Sequence, residues 1–478
     1  MSRAQSPEGS ATSQAAADTD WMQYVGWDGG FHPLDDVAYD QRPEVKKLRK
    51  ILEKSFIVPA WLANIESPEW ATYKRTQRLR DSASNLSSKM SLPKYISNND
   101  EGLSFDVQES LAFILHIPRH AIALQSHFSP LEPMEADRRH PVDTLGSLVW
   151  DFQSAEHVIY RTERKLAIPC LPKQANQTRQ ARRENTGEVQ PDACAFIPLG
   201  INFVLSGVLE NARAALSCFP STDSLTSHHI YILHWVTEYK RDQDQLNSKR
   251  QVAEGLVSAL YQRRAYGFPD HFVFGTAHYS RTVIEVVAAT WVCSDETDEP
   301  VARPQEAKTA SVMPLDDQNT SPPRNSFQVG DTTSSPPKAG EEALRASTSL
   351  TTEDIKKYNK IVMYSLARYN MTRAEDMMRL YLLMRYTRTL ARQYAGEIEK
   401  DDYAQVHELL KKAKEFYQWS PTPRAQSNRS EPNSFASVSE RQSEGMSIDS
   451  YEDSDCNSDP EELKPPNDGS PTQRIAGE

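Results

Sequence analysis

Between Ile230 and Arg264 the chain reads "IYILHWVTEYKRDQDQLNSKRQVAEGLVSALYQRR". The first part is β-branched and aromatic, which suits a pleated strand. The second places Val252, Leu256, Ala259 and Leu260 on one face at helical spacing. "HFVFGT" and "RTVIEVVAATW" follow, two more strand-like runs around a short turn. Upstream, "QPDACAFIPLG" reads as a short strand. Before it, "DTLGSLVWDFQSAEHVIYRTERKLA" reads as a helix, with Leu148, Phe152, Ile159 and Leu166 among its apolar positions. The form of 201–227 is left open. The order helix, strand, strand, helix, strand, strand predicts an α/β domain built on a mixed central sheet flanked by helices.

Composition divides the rest of the 478 residues. Residues 1–20 are polar and read as disordered. Residues 21–141 read as a mainly helical N-terminal region, with helices in "PEVKKLRKILEKSF", "SPEWATYKRTQRLRDSASNL" and "FDVQESLAFILHI". In the second of these, Ser67 and Pro68 resemble an N-cap followed by proline at the first helical position. The apolar-rich core spans 142–293. Residues 294–350 are rich in Pro, Ser, Thr and Asp without periodicity, and read as a disordered insertion. Helical pattern returns over 351–420, where Met377, Leu380, Leu383 and Met384 form an apolar stripe read as core packing. The segment 421–478 is a Ser-rich acidic tail with 12 acidic and 5 basic residues, so it holds −7 of the net −12.

Several classes are disfavoured. No apolar run approaches the ~18 residues of a membrane span, and the N-terminus lacks the apolar core of a secretory signal. An intracellular, soluble protein is expected, with nucleus and cytoplasm undistinguished. The five cysteines show no CxxC pair, which argues against a zinc site or a disulfide framework. Glycine-rich phosphate loops, GxSxG elbows and kinase-type catalytic loops are absent.

The first apolar run ends in Glu238, Tyr239 and Lys240. In a strand, residues two apart share a face, so Glu238 and Lys240 lie side by side. Unpaired charge is costly to bury, so the pair belongs either in solvent at the strand end or in a polar pocket. A second carboxylate from a neighbouring strand, Asp192, would complete an oxygen-ligand site for a divalent cation. The lysine would then orient a water and offset phosphate charge. His234 shares the nominal face of Glu238, and is better read as a hydrogen-bonded core histidine than as a ligand. Taken singly, the plain structural readings are a surface ion pair for Glu238 and Lys240 and a turn residue after proline for Asp192.

At these residues the sequence resembles the PD-(D/E)XK nuclease superfamily, in particular the nuclease-like domains of fungal proteins. Pro191 and Asp192 match the aspartate motif, Glu238, Tyr239 and Lys240 the E-x-K motif, and Gln251 the glutamine of the following helix. Glu156, in the helix before the aspartate, matches the acidic residue that some members carry there. The tripeptide alone is uninformative, because E-x-K recurs at Glu44, Glu163, Glu306 and Glu462. Only the 238–240 copy ends an apolar strand, follows a "PD" strand and precedes an amphipathic helix bearing a glutamine. The resemblance covers 142–293 and implies a restriction-endonuclease-like core with Asp192, Glu238, Lys240, Gln251 and Glu156 as the catalytic set. It further implies Mg²⁺ bound through Asp192 and Glu238, and cleavage of nucleic acid.

Two functions are therefore expected as rivals: a metal-dependent nuclease, or a non-catalytic scaffold on the same fold that meets protein partners through its acidic tail. The basic stretches "KQANQTRQARR" and "TYKRTQRLR" are candidate phosphate contacts or plain solvated segments.

Overall fold

The computed structural model describes residues 15–98, 100–126, 133–154, 157–169, 187–200, 216–220, 230–239, 245–293, 350–400 and 411. The chain divides into two units, Met1–Thr422 and Pro423–Glu478, and all the described residues belong to the first.

Its centre is a seven-stranded mixed sheet. In chain order the strands are β1 (His32–Pro33), β2 (Ile159–Thr162), β3 (Ala193–Pro198), β4 (Tyr231–Tyr239), β5 (Val273–Tyr279), β6 (Val283–Cys293) and β7 (Tyr358–Asn370). They lie in the order β1, β7, β6, β5, β4, β3, β2. The pairs β2–β3, β3–β4, β5–β6 and β6–β7 are antiparallel, whereas β4–β5 and β1–β7 are parallel. Strands β5 and β6 are joined by a short turn, at which Ser280 and Arg281 adopt positive φ. The parallel β4–β5 pair instead needs a long crossover, and the helix Gln245–Ala265 lies within it.

That helix belongs to a set labelled α1 (Thr19–Val25), α2 (Pro43–Ser55), α3 (Gln77–Met90), α4 (Glu101–Ser126), α5 (Glu135–Ser147), α6 (Gln245–Ala265) and α7 (Ala374–Glu399). Helix α6 covers one face of the sheet, burying Val252, Leu256, Ala259 and Leu260 with Trp21 and Val25 of α1. The other face carries α2, α3, α4, α5 and α7, including Met377, Leu380, Leu383 and Met384. Asp106 of α4 accepts from Arg385 Nε and Arg388 Nη2 of α7, both at 2.7 Å, which ties these two helices together. The expected mixed α/β architecture with extra helical regions is the one observed.

Three local expectations change. Residues 358–370 lie inside a region read as helical, yet form β7. Its run Ile361–Tyr364 is buried on both faces, and periodicity cannot separate a doubly buried strand from a buried helix. Pairing with β6 decides the matter. The helix expected over 143–167 stops at Ser147, passes through a π-helical turn at Leu148–Phe152, and gives way to β2. Asp151 Oδ1 accepts the Tyr160 amide (2.8 Å), and Ser154 Oγ donates to Val158 O (2.9 Å), so the connecting turn is held by side chains. Phe152, expected in the core, is exposed, and Val149 and Trp150 take its place. In the N-terminal region, Ser67 and Pro68 head only a 3₁₀ turn, and the regular helix α3 begins at Gln77.

His234 is the extra residue of a β-bulge, since β3 pairs Ala195 with Trp235 and then Phe196 with Leu233. The bulge breaks the alternation that would have put His234 on the face of Glu238. The ring instead lies among Trp150, Phe274 and Tyr394 on the opposite side, with Nε2 donating to Thr387 O at 3.0 Å. It is the buried core histidine that was expected.

Two consequences are measurable. A Cβ on Gly275 of β5 would sit 2.5 Å from Val252 Cγ1 and 3.1 Å from Val236 O. Gly275→Val is therefore expected to destabilise the fold by about 1–3 kcal/mol, read as a lower urea midpoint. Burial holds the His234 imidazole down at about 3. Its folded value lies below the unfolded one, so its contribution is complete above about pH 6.5 and shrinks by ~1.4 kcal/mol per pH unit as pH falls towards 3. Urea melts at pH 7.5 and pH 5 should show this loss in the native protein, and a smaller one in His234→Gln.

Candidate functional site

Asp192 stands one residue before β3. Because β3 pairs Ala193 with Thr237 in antiparallel register, Asp192 falls opposite Glu238. Such cross-strand neighbours have Cβ atoms about 5 Å apart. The order of motifs in the chain thus brings the two carboxylate residues together at the carboxyl end of β4. Asp192 Oδ2 accepts the Tyr239 amide at 2.6 Å, and Oδ1 accepts Arg139 Nη1 at 3.0 Å.

Arg139, on α5, organises this corner. Its Nε donates to Asp143 Oδ2 at 2.9 Å, and its Nη2 to Glu163 Oε1 at 3.2 Å. Glu163 adopts φ +54 just after β2, and its amide donates to Asp192 O at 3.0 Å. One guanidinium therefore faces three carboxylates. Burial pushes the Asp143 carboxyl up, while Tyr160 Oη, donating at 2.9 Å, and Arg139 work against it.

Glu238 is buried, 4 % exposed. Val236, two residues earlier on β4, meets Gly255 of α6, so strand parity puts Glu238 on the α6 face. Cys194 shares this neighbourhood. Its thiol is raised well above the ordinary range by burial first, then by Cys218, and then by the charges of Glu238 and Asp192. The last two effects register both carboxylates from a common neighbour. Gln251 sits on α6 beside Val252, the residue that packs against Gly275. Its Oε1 is buried without a hydrogen-bond partner among the described residues. Glu156 and Lys240 lie outside the described residues.

The row continues beyond what the sequence suggested. Glu238 is in register with Ala277 on β5, Ala277 with Glu285 on β6, and Glu285 with Arg368 on β7. In-register residues project from the same face. Glu238, Ala277, Glu285 and Arg368 thus form a band across four strands beneath the first turns of α6, whereas the Asp192 carboxylate, just outside β3, is held by Arg139 of α5, a helix of the opposite face. Glu285 has no solvent exposure and binds Lys249 Nζ (2.7 Å), Tyr279 Oη (2.7 Å), Gln245 Nε2 (3.0 Å) and Arg368 Nε (3.2 Å). Burial alone would raise its carboxyl. Hydrogen bonds from Lys249, Ser365 and Tyr279, with the lysine charge, outweigh this and hold it at about 2.

Glu285 and Lys249 were not among the residues singled out in the sequence, although Glu285 carries the same signal as Glu238, an acid inside an apolar strand run. Arg139 has no comparable signal, because its role depends on where α5 lands.

Among the described residues no group of three or more His, Cys, Asp or Glu side chains is placed to hold a metal ion. No described helix is long and apolar enough to cross a membrane. Compared with protein-family models and with curated proteins, the chain matches none.

Replacing Arg139 by Leu leaves three carboxylates facing one another without their common cation. The expected cost is about 1–3 kcal/mol at pH 7 for this partly exposed group. It should be smaller at pH 4, where the raised Asp143 carboxyl begins to protonate, as urea melts at the two pH values would show.

Proposed function

We propose that the chain is a metal-dependent nuclease, hydrolysing phosphodiester bonds at the Asp192 and Glu238 corner. The observation that supports this reading is the bond from the Tyr239 amide to Asp192 Oδ2 (2.6 Å), which ties the acid before β3 to the residue that follows Glu238 on β4. The corner lies at the carboxyl end of a parallel strand pair, where open α/β sheets ordinarily place their ligands.

The residues present suit Mg²⁺ or Mn²⁺. Carboxylate oxygens are the hard donors such ions take, and Asp192 is oriented by Arg139 and the Tyr239 amide. Mg²⁺ commonly takes one or two carboxylates and fills its remaining positions with water and substrate phosphate. A two-carboxylate site is therefore sufficient. When bound, the ion would supply charge stabilisation at the phosphoryl oxygens and a more acidic water.

In this reading Asp192 and Glu238 supply the ligand oxygens, and Arg139 orients Asp192. Lys240, two residues beyond Glu238, positions the attacking water and offsets phosphate charge. The Gln251 amide supports the site from α6, and Glu156 assists as an acidic neighbour. A nucleic-acid substrate goes with residence inside the cell, in nucleus or cytoplasm. The hold of Arg139 on Asp192 also favours a second reading, a non-catalytic scaffold in which the guanidinium replaces the metal and the acidic tail recruits protein partners.

The full-length protein should cleave labelled DNA or RNA, single- or double-stranded, with Mg²⁺ or Mn²⁺ and not in EDTA. Asp192→Asn, Glu238→Gln and Lys240→Ala should each lose activity by at least a hundredfold while melting as cooperatively as the native protein. Cleavage undiminished in Lys240→Ala, or none by the native protein with any substrate and ion, would overturn the nuclease reading. The second outcome would leave the scaffold.

A further inference from the structure

At the far end of the polar band the sheet is only partly closed. Strand β1 pairs with Tyr364 and Ser365 of β7 and no further, which leaves the edge from Leu366 to Arg368 uncovered by it. A cavity of about 570 Å³ lies there, between the segment Phe31–Asp35, α2 and β7. Its size is that of a small-molecule site. Its charged lining comprises Arg49, Lys249 and Arg368 against one acid, Asp35. Much of the remainder is apolar, including Phe31, Leu34, Leu52 and Leu366.

The donors are arranged for an anion. Lys249 Nζ, on a side chain only 8 % exposed, donates to Glu285 (2.7 Å) and Ser365 Oγ (2.9 Å) and lies 4.6 Å from the Phe31 ring centroid. An ammonium has three N–H groups, so one remains without a hydrogen-bond partner among the described residues. Among the described residues Arg368 is held by Nε alone, which leaves the two terminal nitrogens of an exposed guanidinium to a ligand. Glu285 stands behind both cations and is absent from the cavity lining. It orients them and neutralises only one.

We propose that this cavity binds a nucleotide unit, its phosphate on Lys249 and Arg368 and its ring system against Phe31, Leu34 and Leu52. The band fixes the distance to the candidate catalytic corner. Glu285 is two strands from Glu238, about 10 Å, a separation of one to two nucleotides along a strand. The unit is therefore either a free nucleotide or part of a nucleic acid engaged at Asp192 and Glu238. Only this second source rests on the nuclease reading.

The test is equilibrium binding of deoxyadenosine monophosphate, by calorimetry, and of fluorescein-labelled dodecathymidylate, by anisotropy, to the full chain in EDTA. Arg368→Glu carries the test, because its side chain is 63 % exposed and its replacement should leave folding intact. Lys249→Met is the supporting variant, since it strands the buried Glu285. Arg368→Glu is expected to weaken binding at least tenfold with an unchanged melting curve. Mononucleotide binding would identify a free-nucleotide pocket, and binding of the oligomer alone would identify a strand subsite. No binding of either probe at millimolar concentration, or equal binding by Arg368→Glu, would overturn the proposal. A protein that binds through Arg368 but cleaves nothing would retain this inference and lose the catalytic one.

Discussion

The pairing of β4 with β5 constrains everything around it. β4 is antiparallel to β3 on one side and parallel to β5 on the other. A parallel neighbour cannot be reached by a hairpin, so the chain must leave the sheet and return, and α6 lies on that return. The helix can pack closely only because Gly255 and Gly275 leave room for Val236 and Val252. Once α6 is seated, its first turns lie over the carboxyl ends of β4 and β5, as the bond from Ser248 Oγ to His278 O shows (3.0 Å). That seating sets Gln251 and Lys249 above a band of acids.

The buried acids of the sheet strands, Glu238 and Glu285, lie in that band. Asp192 is met by Arg139 and a backbone amide, and Glu285 by a lysine, an arginine, a glutamine and a phenol. Ionised groups out of water need such partners, since the desolvation of an isolated carboxylate far exceeds the stability of a domain. The opposite face shows the other solution. There His234 is held neutral by burial, with a single bond to Thr387 O. Glu285 thus stays charged at neutral pH, and the core histidine stays uncharged.

Legibility in the sequence followed local pattern. β3, β4, β5, β6, α6 and α7 are all visible as apolar runs or helical stripes, and their residues lie where those patterns put them. β7 was hidden, because Ile361, Val362, Met363 and Tyr364 are buried on both faces and carry no alternation. β2 was hidden by its shortness and by the helix that runs up to it. The His234 bulge was invisible as well. It depends on how β3 and β4 slide past each other, and it moved a candidate ligand into the opposite core.

By itself, the order of motifs determined that a carboxylate before one strand and a carboxylate ending the next belonged to one candidate site, because strand periodicity and chain order are local properties. Tertiary structure alone decided what surrounds them. Arg139 reaches Asp192 across 53 residues, Lys249 reaches Glu285 across 36, and Ser365 reaches Lys249 across 116. Such contacts arise from the packing of whole helices on a sheet whose register is set by distant strands, and no spacing within the sequence encodes them.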